Sequence, residues 1–325
     1  MTLANFTYSH TIGLASFEGR GFMNPVDMRF DSRRMLYVLS RSNAQNKDVR
    51  VSVTTLDADY QFEFGRWGTE PGKLTMPTAL AIDGDDRVYV SDEHMNNVSV
   101  FDRDGKFILR WGEQGTGRGE LNRPSGLAFD SEGNLHVVDH LNARVQKFTP
   151  DGQFLSSFGE PGAGTGQFSY PWGIAIDAAD NIWVADWRND RIQRFDRSGS
   201  FVAAHGRTGS KPGEFRRPAG IAVDERGDVY VADWENDRVQ VFSPAMKHLE
   251  TLWGDATLSK WCEEFLAVNP EQRDQRLASG IPGHEEKLMW RPSAVCTTRD
   301  GLVLIADSCR HRIQIYQRVL APVPA

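Results

Sequence analysis

The sequence predicts an all-β fold, a β-propeller of six blades closed into a ring. The first observation is that each interval between successive repeats contains four short runs of β-branched or aromatic residues, bounded by Gly, Asp, Asn or Pro. Four strands in a repeat of about 40–50 residues are typical of a propeller blade, which buries its sheet faces against its neighbours. The second observation is an interval of 47 residues that separates Pro77, Pro124, Pro171 and Pro218, and likewise Asp92, Asp139, Asp186 and Asp233.

The first and last blades are found by position. A degenerate first blade begins at Pro25, and a last blade of three strands begins at Pro292 and ends at Tyr316 or shortly beyond. The missing fourth strand is FTYSHTIG near the N-terminus, because Gly13 precedes Pro25 by the same 12 residues that separate Gly65 from Pro77. We therefore predict one domain over residues 5–319, with residues 5–13 closing the last blade and residues 320–325 forming a tail. Such closure removes exposed sheet edges.

A helical insertion, residues 255–288, is predicted between blades five and six. Gly254 and Pro292 are 38 residues apart, whereas the other connections of this kind span 12. The pair Asn269-Pro270 predicts the start of a second helix that ends near Gly280. The first helix, within LSKWCEEFLAV, has one apolar face made of Leu258, Trp261, Cys262, Phe265 and Val268. A lid over one face of the ring, a dimer contact and packing against the outer rim are the alternatives for this insertion.

Composition excludes several classes of protein. The 325 residues carry a formal net charge of −7, with 40% hydrophobic and 25% charged residues, as in a folded protein. This acidic balance argues against a broad basic surface for nucleic acid or an anionic membrane. The chain has no apolar run long enough to span a bilayer, and it begins without the basic and apolar regions of a signal peptide. We therefore expect a cytoplasmic protein with no membrane partner.

Three segments, VADWRNDRIQRF, VADWENDRVQVF and IADSCRHRIQIY, resemble NHL repeats. The resemblance covers nearly the whole chain. It implies a six-bladed propeller of a family that includes scaffolds, RNA-binding proteins and a few enzymes, so it specifies the fold and not the activity. His311 stands where the family usually has a structural histidine. Residues that recur in the blades are expected to form hydrogen bonds and ion pairs inside them: Asp92, Asp139, Asp186, Asp233, Asp307, Arg144, Arg191, Arg238 and Arg312.

Function is expected where the blades differ on one face. Each repeated proline begins the first strand of a blade, each repeated aspartate ends the second strand, and these two strands are antiparallel neighbours. The residues that follow the proline and the aspartate therefore lie at the same end of the blade, which we call the top face. Clustered aromatic side chains with a few polar groups are typical of a binding site. The alternative is that these residues only cap the core. The positions include Thr78, Ser125 and Trp172 after the prolines, and Glu93, His140, Trp187, Trp234 and Ser308 after the aspartates, with Ser40 or Arg41 in blade one.

Arg29 is the unusual residue near the predicted axis. It falls in a column of small residues formed by Ala81, Ala128, Ala175 and Ala222, where an unpaired guanidinium would be costly. We expect it either to plug the channel against a carboxylate or to bind an anion. The candidate ligand-binding residues are therefore Thr78, Ser125, Trp172, Trp187, Trp234, Ser308, Arg41, Arg188 and Arg29.

The favoured function is recognition of a small molecule or a peptide in a tryptophan-lined pocket at the top face. The alternative is a cytoplasmic lyase or hydrolase in the same pocket, with His140 as general base or metal ligand and Glu93 or Asp27 nearby. Whether the protein is an enzyme, and which cofactor it would use, stays open, and a divalent metal ion at the top face is one option.

Two further comparisons narrow these alternatives. The peptidyl-hydroxyglycine lyases, which have a similar fold, place zinc-binding histidines after the repeated prolines, and this chain has none there, so no metal ligands are assigned. A scaffold for RNA or protein ranks third, and nucleic acid is an improbable partner, because Asp27, Glu93 and Glu235 offset Arg41 and Arg188.

Overall fold

Six four-stranded antiparallel sheets form the ring, which confirms the predicted six-bladed propeller. The structure is a computed structural model that describes residues 5–41, 47–278 and 283–319. Within each sheet the strands follow one another in chain order, except that the last sheet takes its outer strand from the N-terminus.

The strands of the first three blades are numbered in chain order after β1 (Asn5–Ile12). Blade one comprises β2 (Pro25–Phe30), β3 (Leu36–Ser40), β4 (Arg50–Thr54) and β5 (Tyr60–Phe64). Blade two comprises β6 (Pro77–Ile82), β7 (Val88–Asp92), β8 (Asn97–Phe101) and β9 (Phe107–Trp111). Blade three comprises β10 (Pro124–Phe129), β11 (Leu135–Asp139), β12 (Arg144–Phe148) and β13 (Phe154–Phe158).

A short parallel pair, β14 (Glu160–Pro161) and β15 (Gln167–Phe168), lies in the connection to blade four. Blade four comprises β16 (Pro171–Ile176), β17 (Ile182–Asp186), β18 (Arg191–Phe195) and β19 (Phe201–His205). Blade five comprises β20 (Pro218–Val223), β21 (Val229–Asp233), β22 (Arg238–Phe242) and β23 (His248–Leu252). Blade six comprises β24 (Pro292–Thr297), β25 (Leu302–Asp307), β26 (Arg312–Val319) and β1.

The N-terminal strand closes the ring as the glycine–proline spacing predicted. β1 pairs antiparallel with β26, from Asn5 opposite Val319 to Ile12 opposite Ile313. Apolar side chains of this seam, Ile12, Ile313 and Ile315, are fully buried against blade one. The last blade therefore packs against the first blade through apolar side chains, as the other blades pack against their neighbours.

Glycines let the innermost strands of blades three to five approach their neighbours. A Cβ atom on Gly126 would lie 2.6 Å from the carbonyl oxygen of Trp172, and one on Gly173 would lie 2.2 Å from that of Ala219. Real Cβ atoms do not approach so closely, so any larger residue would push two blades apart at the axis.

An arginine that is at least partly buried ties each of blades three to six to the connection that precedes it. In blade four Arg191 Nε donates to Asp186 Oδ2 at 2.8 Å, and its two terminal nitrogens donate to the carbonyl oxygens of Ala163, Gly164 and Gln167 at 2.8 Å each. Gln193 and Asn189 donate to the same aspartate. This is the structural role predicted for the repeated Asp and Arg residues.

Blades one and two keep the tie with different residues. In blade two Asn97 replaces the arginine, and Arg110 reaches in from the outer strand to the carbonyl oxygens of Thr69, Glu70 and Lys73 at 2.8–3.0 Å. In blade one Ser40 replaces the aspartate. Arg50 forms ion pairs with Asp48 and Glu63 instead, and it donates to Ser16 O at 2.8 Å. Every blade therefore has a guanidinium bound to its entering connection.

The insertion forms three helices, α1 (Lys260–Val268), α2 (Pro270–Ala278) and α3 (Gly283–Lys287). The two longer helices begin near the predicted positions. The side chain of Ser259 caps α1 and also donates to the carbonyl oxygen of Gly13 at the closing seam. Gly280 lies outside the described residues.

The position of α1 corrects the lid hypothesis. Its Trp261 is buried beside Phe22 and donates to Ala58 O at 2.7 Å, and Lys260 pairs with Asp59, so α1 packs against the outer rim where blades six and one meet. Of the predicted apolar face, only Trp261 is buried, whereas Val268 is 77% exposed. None of the helices described is long and apolar enough to cross a membrane. The expected cytoplasmic location stays a prediction.

Candidate functional site

Three indole rings line one cavity of about 220 Å³ at the top face. They come from two consecutive blades. Trp172 is the second residue of β16, and Trp187 and Trp234 begin the 3₁₀ turns that follow β17 and β21. We call this cavity the tryptophan pocket. Its lining residues are Val26, Arg41, Trp172, Trp187, Ala219, Trp234, Ser293 and Ser308.

The register of the sheets explains why these residues meet. In every blade the first residue of the inner strand, a proline, lies opposite the last residue of the second strand, for example Pro171 opposite Asp186. The residue after each of the two therefore projects at the top face. The ring centroids of Trp187 and Trp234 lie 6.4 Å apart with an interplanar angle of 55°, an aromatic contact across the boundary between blades four and five.

Arginines lie over two of the indoles. The guanidinium carbon of Arg217 is 4.5 Å from the ring centroid of Trp187, and that of Arg291 is 4.4 Å from the ring centroid of Trp234. Both arginines directly precede the first proline of a blade and have left-handed backbone angles, with φ of 53° and 54°. Their backbone N–H groups donate to Asp190 and Asp237 at 2.7 and 2.8 Å, which fixes the backbone from which the side chains extend.

A second polar cluster lies beside Trp172. Arg41 lies over its ring at 5.9 Å and donates to Glu93 at 2.6 Å, and His140 makes an edge contact with the same ring at 5.2 Å. Glu93 is buried, and its Oε1 accepts from Arg41 in this ion pair. The predicted convergence of Arg41, Glu93 and His140 at the mouth is thus present, although only Arg41 lines the pocket itself.

The tautomer of His140 follows from its one hydrogen bond to the protein. Its Nδ1 lies 3.0 Å from the carbonyl oxygen of Pro171, and because a carbonyl only accepts, Nδ1 carries the proton. Nε2 has no hydrogen-bonding partner within the described ranges and is the nitrogen that could accept a proton. Burial lowers the pKa of His140, while the Pro171 carbonyl and Glu93 oppose this shift and Arg123 and Arg41 add to it. The ring is therefore neutral at neutral pH.

Thr78 and Ser125 do not line the tryptophan pocket, which corrects their assignment as ligand-binding residues. Both are buried and join neighbouring blades. The hydroxyl of Thr78 donates to Pro124 O at 2.8 Å, and that of Ser125 to Trp172 O at 2.9 Å. Their hydroxyls point to the next blade rather than to the mouth because the innermost strands approach so closely.

Arg29 and Asp27 form an ion pair along the axis, below the tryptophan pocket. Arg29 Nη1 donates to Asp27 Oδ1 at 2.5 Å and to Met28 O at 2.7 Å, and Asp27 Oδ2 accepts from the Leu80 N–H at 2.9 Å. Arg29 lines both a cavity of about 30 Å³ on the side of the top face and one of about 280 Å³ on the opposite side. The first of the two expectations for Arg29, a plug against a carboxylate, describes this geometry, and neither residue belongs to the pocket.

Arg188 is also displaced from its predicted place. Its side chain is exposed and lies over Tyr170, with the guanidinium carbon 4.7 Å from the ring centroid. It stays on the top face but outside the pocket, because the 3₁₀ turn that begins with Trp187 directs successive side chains to different sides.

The catalytic set proposed from the sequence does not assemble into a working group. Arg41 and Arg29 neutralise Glu93 and Asp27 respectively, and His140 contacts neither carboxylate. Across the part of the chain that the structure describes, no three His, Cys, Asp or Glu side chains lie close enough together to hold a metal ion.

Sequence reasoning missed Arg217 and Arg291. The signal available was their place immediately before Pro218 and Pro292, at the same end of the blade as the tryptophans. The contact of each arginine with an indole of the preceding blade depends on a left-handed backbone that the sequence did not reveal.

Comparison with protein families supports the repeat assignment. The NHL repeat model matches residues 168–195, 215–242 and 289–316, and a model described as a 6-bladed beta-propeller matches residues 78–147. A comparison with curated protein sequences finds no match.

Several solved structures have the same fold at low sequence identity. A virginiamycin B lyase from Staphylococcus aureus, a catalytically inactive variant with quinupristin, is 13% identical over 98% of this chain and 90% of its own, with a TM-score of 0.58. A structural genomics protein of unknown function from Bacteroides thetaiotaomicron is 17% identical over 95% and 72%, with a TM-score of 0.63. A chain of a nidogen/laminin complex is 17% identical over 73% and 82%, with a TM-score of 0.55. At these identities the likeness concerns the fold alone, and together with the family matches it supports a six-bladed β-propeller that contains NHL repeats.

Proposed function

We propose that the protein binds a small, largely apolar molecule, or a single side chain of a peptide, in the tryptophan pocket. The observation that carries this proposal is the convergence of Trp172, Trp187 and Trp234 on one cavity of about 220 Å³. Half-buried indoles at a concave mouth provide apolar area and aromatic faces, and aromatic contacts contribute about 0.5–1.5 kcal/mol each beyond area burial.

The size of the pocket restricts the ligand. Sites for drug-sized molecules commonly have about 300–1,000 Å³, so a cavity of about 220 Å³ accommodates one or two rings or one large side chain. The flanking groups also restrict it. Val26 and Ala219 are apolar, and the hydroxyls of Ser293 and Ser308 donate to carbonyl oxygens of blade one at 2.5–3.2 Å. The pocket walls therefore select by shape and aromatic contact rather than by hydroxyl groups.

The test is a thermal-shift screen of small aromatic compounds, followed by titration of the hits. A ligand that binds the native state raises the melting temperature by mass action. We expect Trp187→Ala and Trp234→Ala each to weaken binding at least about tenfold, because each removes one wall of the pocket. Trp67→Ala is the matched control, since Trp67 is 44% exposed in a top-face connection but does not line the pocket.

The screen also identifies failure. If no compound shifts the melting temperature, or if hits bind the two pocket variants as well as they bind the wild type, the site lies elsewhere. Urea unfolding of each variant shows whether the loss of binding is separate from a loss of fold.

A second candidate function, a lyase in the same pocket, is favoured by His140. Its Nε2 is unprotonated at neutral pH and lies on a ring that contacts Trp172, so it could act as a base toward a bound substrate. The virginiamycin B lyase and a streptogramin B lyase have the same fold. Turnover of a bound hit that His140→Gln abolishes while binding persists would favour this candidate, and turnover that survives the substitution would exclude His140 as the base.

A further inference from the structure

The positive charges around the tryptophan pocket are not equally neutralised. Arg41 inside the pocket is paired with Glu93 at 2.6 Å, and Arg217 is paired with Glu235 at 3.2 Å. Arg291 lies over Trp234 at 4.4 Å, and its guanidinium has no hydrogen-bond or ion-pair partner within the described residues. Arg291 does not itself line the pocket, but it lies against an indole that does, and its guanidinium is unneutralised.

The contact of Arg291 with the indole leaves its hydrogen-bonding capacity unused. A guanidinium over an aromatic ring interacts through its face, whereas its five N–H groups point outward in its plane. Because the backbone N–H of Arg291 is fixed by Asp237 at 2.8 Å and the indole supports its side chain, the group is held at the mouth rather than free in solvent. Such a group binds a carboxylate through two parallel hydrogen bonds.

The two hydroxyl groups that line the pocket already have hydrogen-bonding partners. Ser308 Oγ donates to Pro25 O at 2.5 Å, and Ser293 Oγ lies 2.6 Å from Ser308 Oγ and donates to the carbonyl oxygens of blade one. A ligand that needed hydroxyl donors would have to break these bonds between blades six and one. The guanidinium of Arg291 is a donor that a ligand can engage without such a cost.

We propose that the ligand of the tryptophan pocket is a monoanion, with an apolar body between the indoles and a carboxylate bound by Arg291. This inference rests on the proposed function and deepens it. The body contacts the apolar walls, and the single negative charge neutralises Arg291, which has no carboxylate partner among the described residues and lies against the pocket's Trp234.

The experiment compares phenylacetate with phenylacetamide, two probes of nearly the same shape that differ in charge. Binding is measured by isothermal titration calorimetry and by tryptophan fluorescence at low ionic strength. We expect phenylacetate to bind about tenfold more tightly than phenylacetamide, because a charge-assisted bidentate contact replaces a neutral one. Raising the salt concentration should reduce the difference, since the mouth is open to solvent.

Two variants locate the charge that is responsible. Arg291→Gln should remove the preference for phenylacetate while phenylacetamide still binds, because the apolar walls are intact. Arg188→Gln is the matched control, because Arg188 also lies over an aromatic ring on the top face, but that ring, Tyr170, does not line the pocket; this variant should keep the preference.

The outcomes separate the two proposals. Equal binding of both probes, or a preference that survives Arg291→Gln, would overturn the monoanion inference and leave the pocket as a binding site. A preference lost equally in both arginine variants would also overturn it, because it would show attraction by the whole face rather than by Arg291. Binding of neither probe would contradict both proposals for ligands of this size.

Discussion

The arginine ties inside the blades and the arginines at the tryptophan pocket differ in what they bind. In each blade a guanidinium donates to carbonyl oxygens of the entering connection, and it does so even in blade two, where Arg110 supplies it from another strand. At the mouth, equivalent positions of different blades carry Glu93, His140, Trp187 and Ser308, and Arg291 has a ring rather than a carboxylate as its neighbour. The contrast teaches that an interaction needed by every blade persists when its residues change, whereas a face that no blade needs for folding is free to diversify.

Removing the carboxylate that pairs with one of the blade arginines should have the largest effect on stability. Asp233→Ala leaves the guanidinium of Arg238, which is 2% exposed, without its carboxylate, and removal of one partner of a buried pair costs about 3–5 kcal/mol. We expect this loss in the free energy of unfolding measured with urea. Glu235→Ala, which removes the solvent-exposed partner of Arg217, should cost less than about 1 kcal/mol. Similar losses of unfolding free energy in the two variants would contradict the conclusion that the ion pairs inside the blades stabilise the fold more than those at the tryptophan pocket.

A substitution in blade two sharpens the same comparison. Arg110→Ser removes three charge-assisted hydrogen bonds to the connection between Thr69 and Lys73, and we expect the unfolding free energy to fall by about 2–3 kcal/mol. Ser157 occupies the same place in the outer strand of blade three, where Arg144 makes the tie instead. Ser157→Ala should therefore change stability by less than about 0.5 kcal/mol. If Arg110→Ser were as mild, blade two would have no tie of this kind.

The smallest effect is expected at the mouth, from the protonation of His140. Because burial lowers its pKa, the folded protein binds this proton less readily than the unfolded chain. The resulting stability is present above the unfolded pKa of about 6.5 and is lost as the pH falls through the folded pKa. NMR titration of the ring protons should give a midpoint below 6.5, and His140→Gln should reduce the fall in stability between neutral and mildly acidic pH. A midpoint above 6.5 would contradict the burial argument.

The fold could be predicted because its information is periodic. The interval between prolines gave the blades, and the spacing of Gly13 from Pro25 gave the closing strand, since both follow from a geometry that each blade repeats. The arginine of blade two was not predictable by position, because Arg110 reaches the same carbonyl oxygens from a strand where other blades have no arginine.

The site could be predicted only in part. Trp172, Trp187, Trp234, Ser308 and Arg41 line one pocket because the register of two strands places them at one face. Thr78 and Ser125 lie at the same end but turn away, since their hydroxyls find carbonyl oxygens of the next blade. Contacts between blades depend on how closely neighbouring sheets approach each other. The residue pattern within one repeat does not specify that distance, so it could not predict these hydrogen bonds.

The closing sheet has a consequence for how the chain is made. Its outer strand, β1, precedes every other strand of the ring, and its partner β26 follows them, so their pairing must wait until all six blades have been synthesised. Until then the first strand has no partner and the sixth sheet does not exist, while blades in the middle of the chain can already form their local hairpins. The slowest event in folding is therefore expected to be the pairing of β1 with β26. If translation stopped before β26 was made, the ring would stay open and would expose unpaired sheet edges that are prone to aggregation.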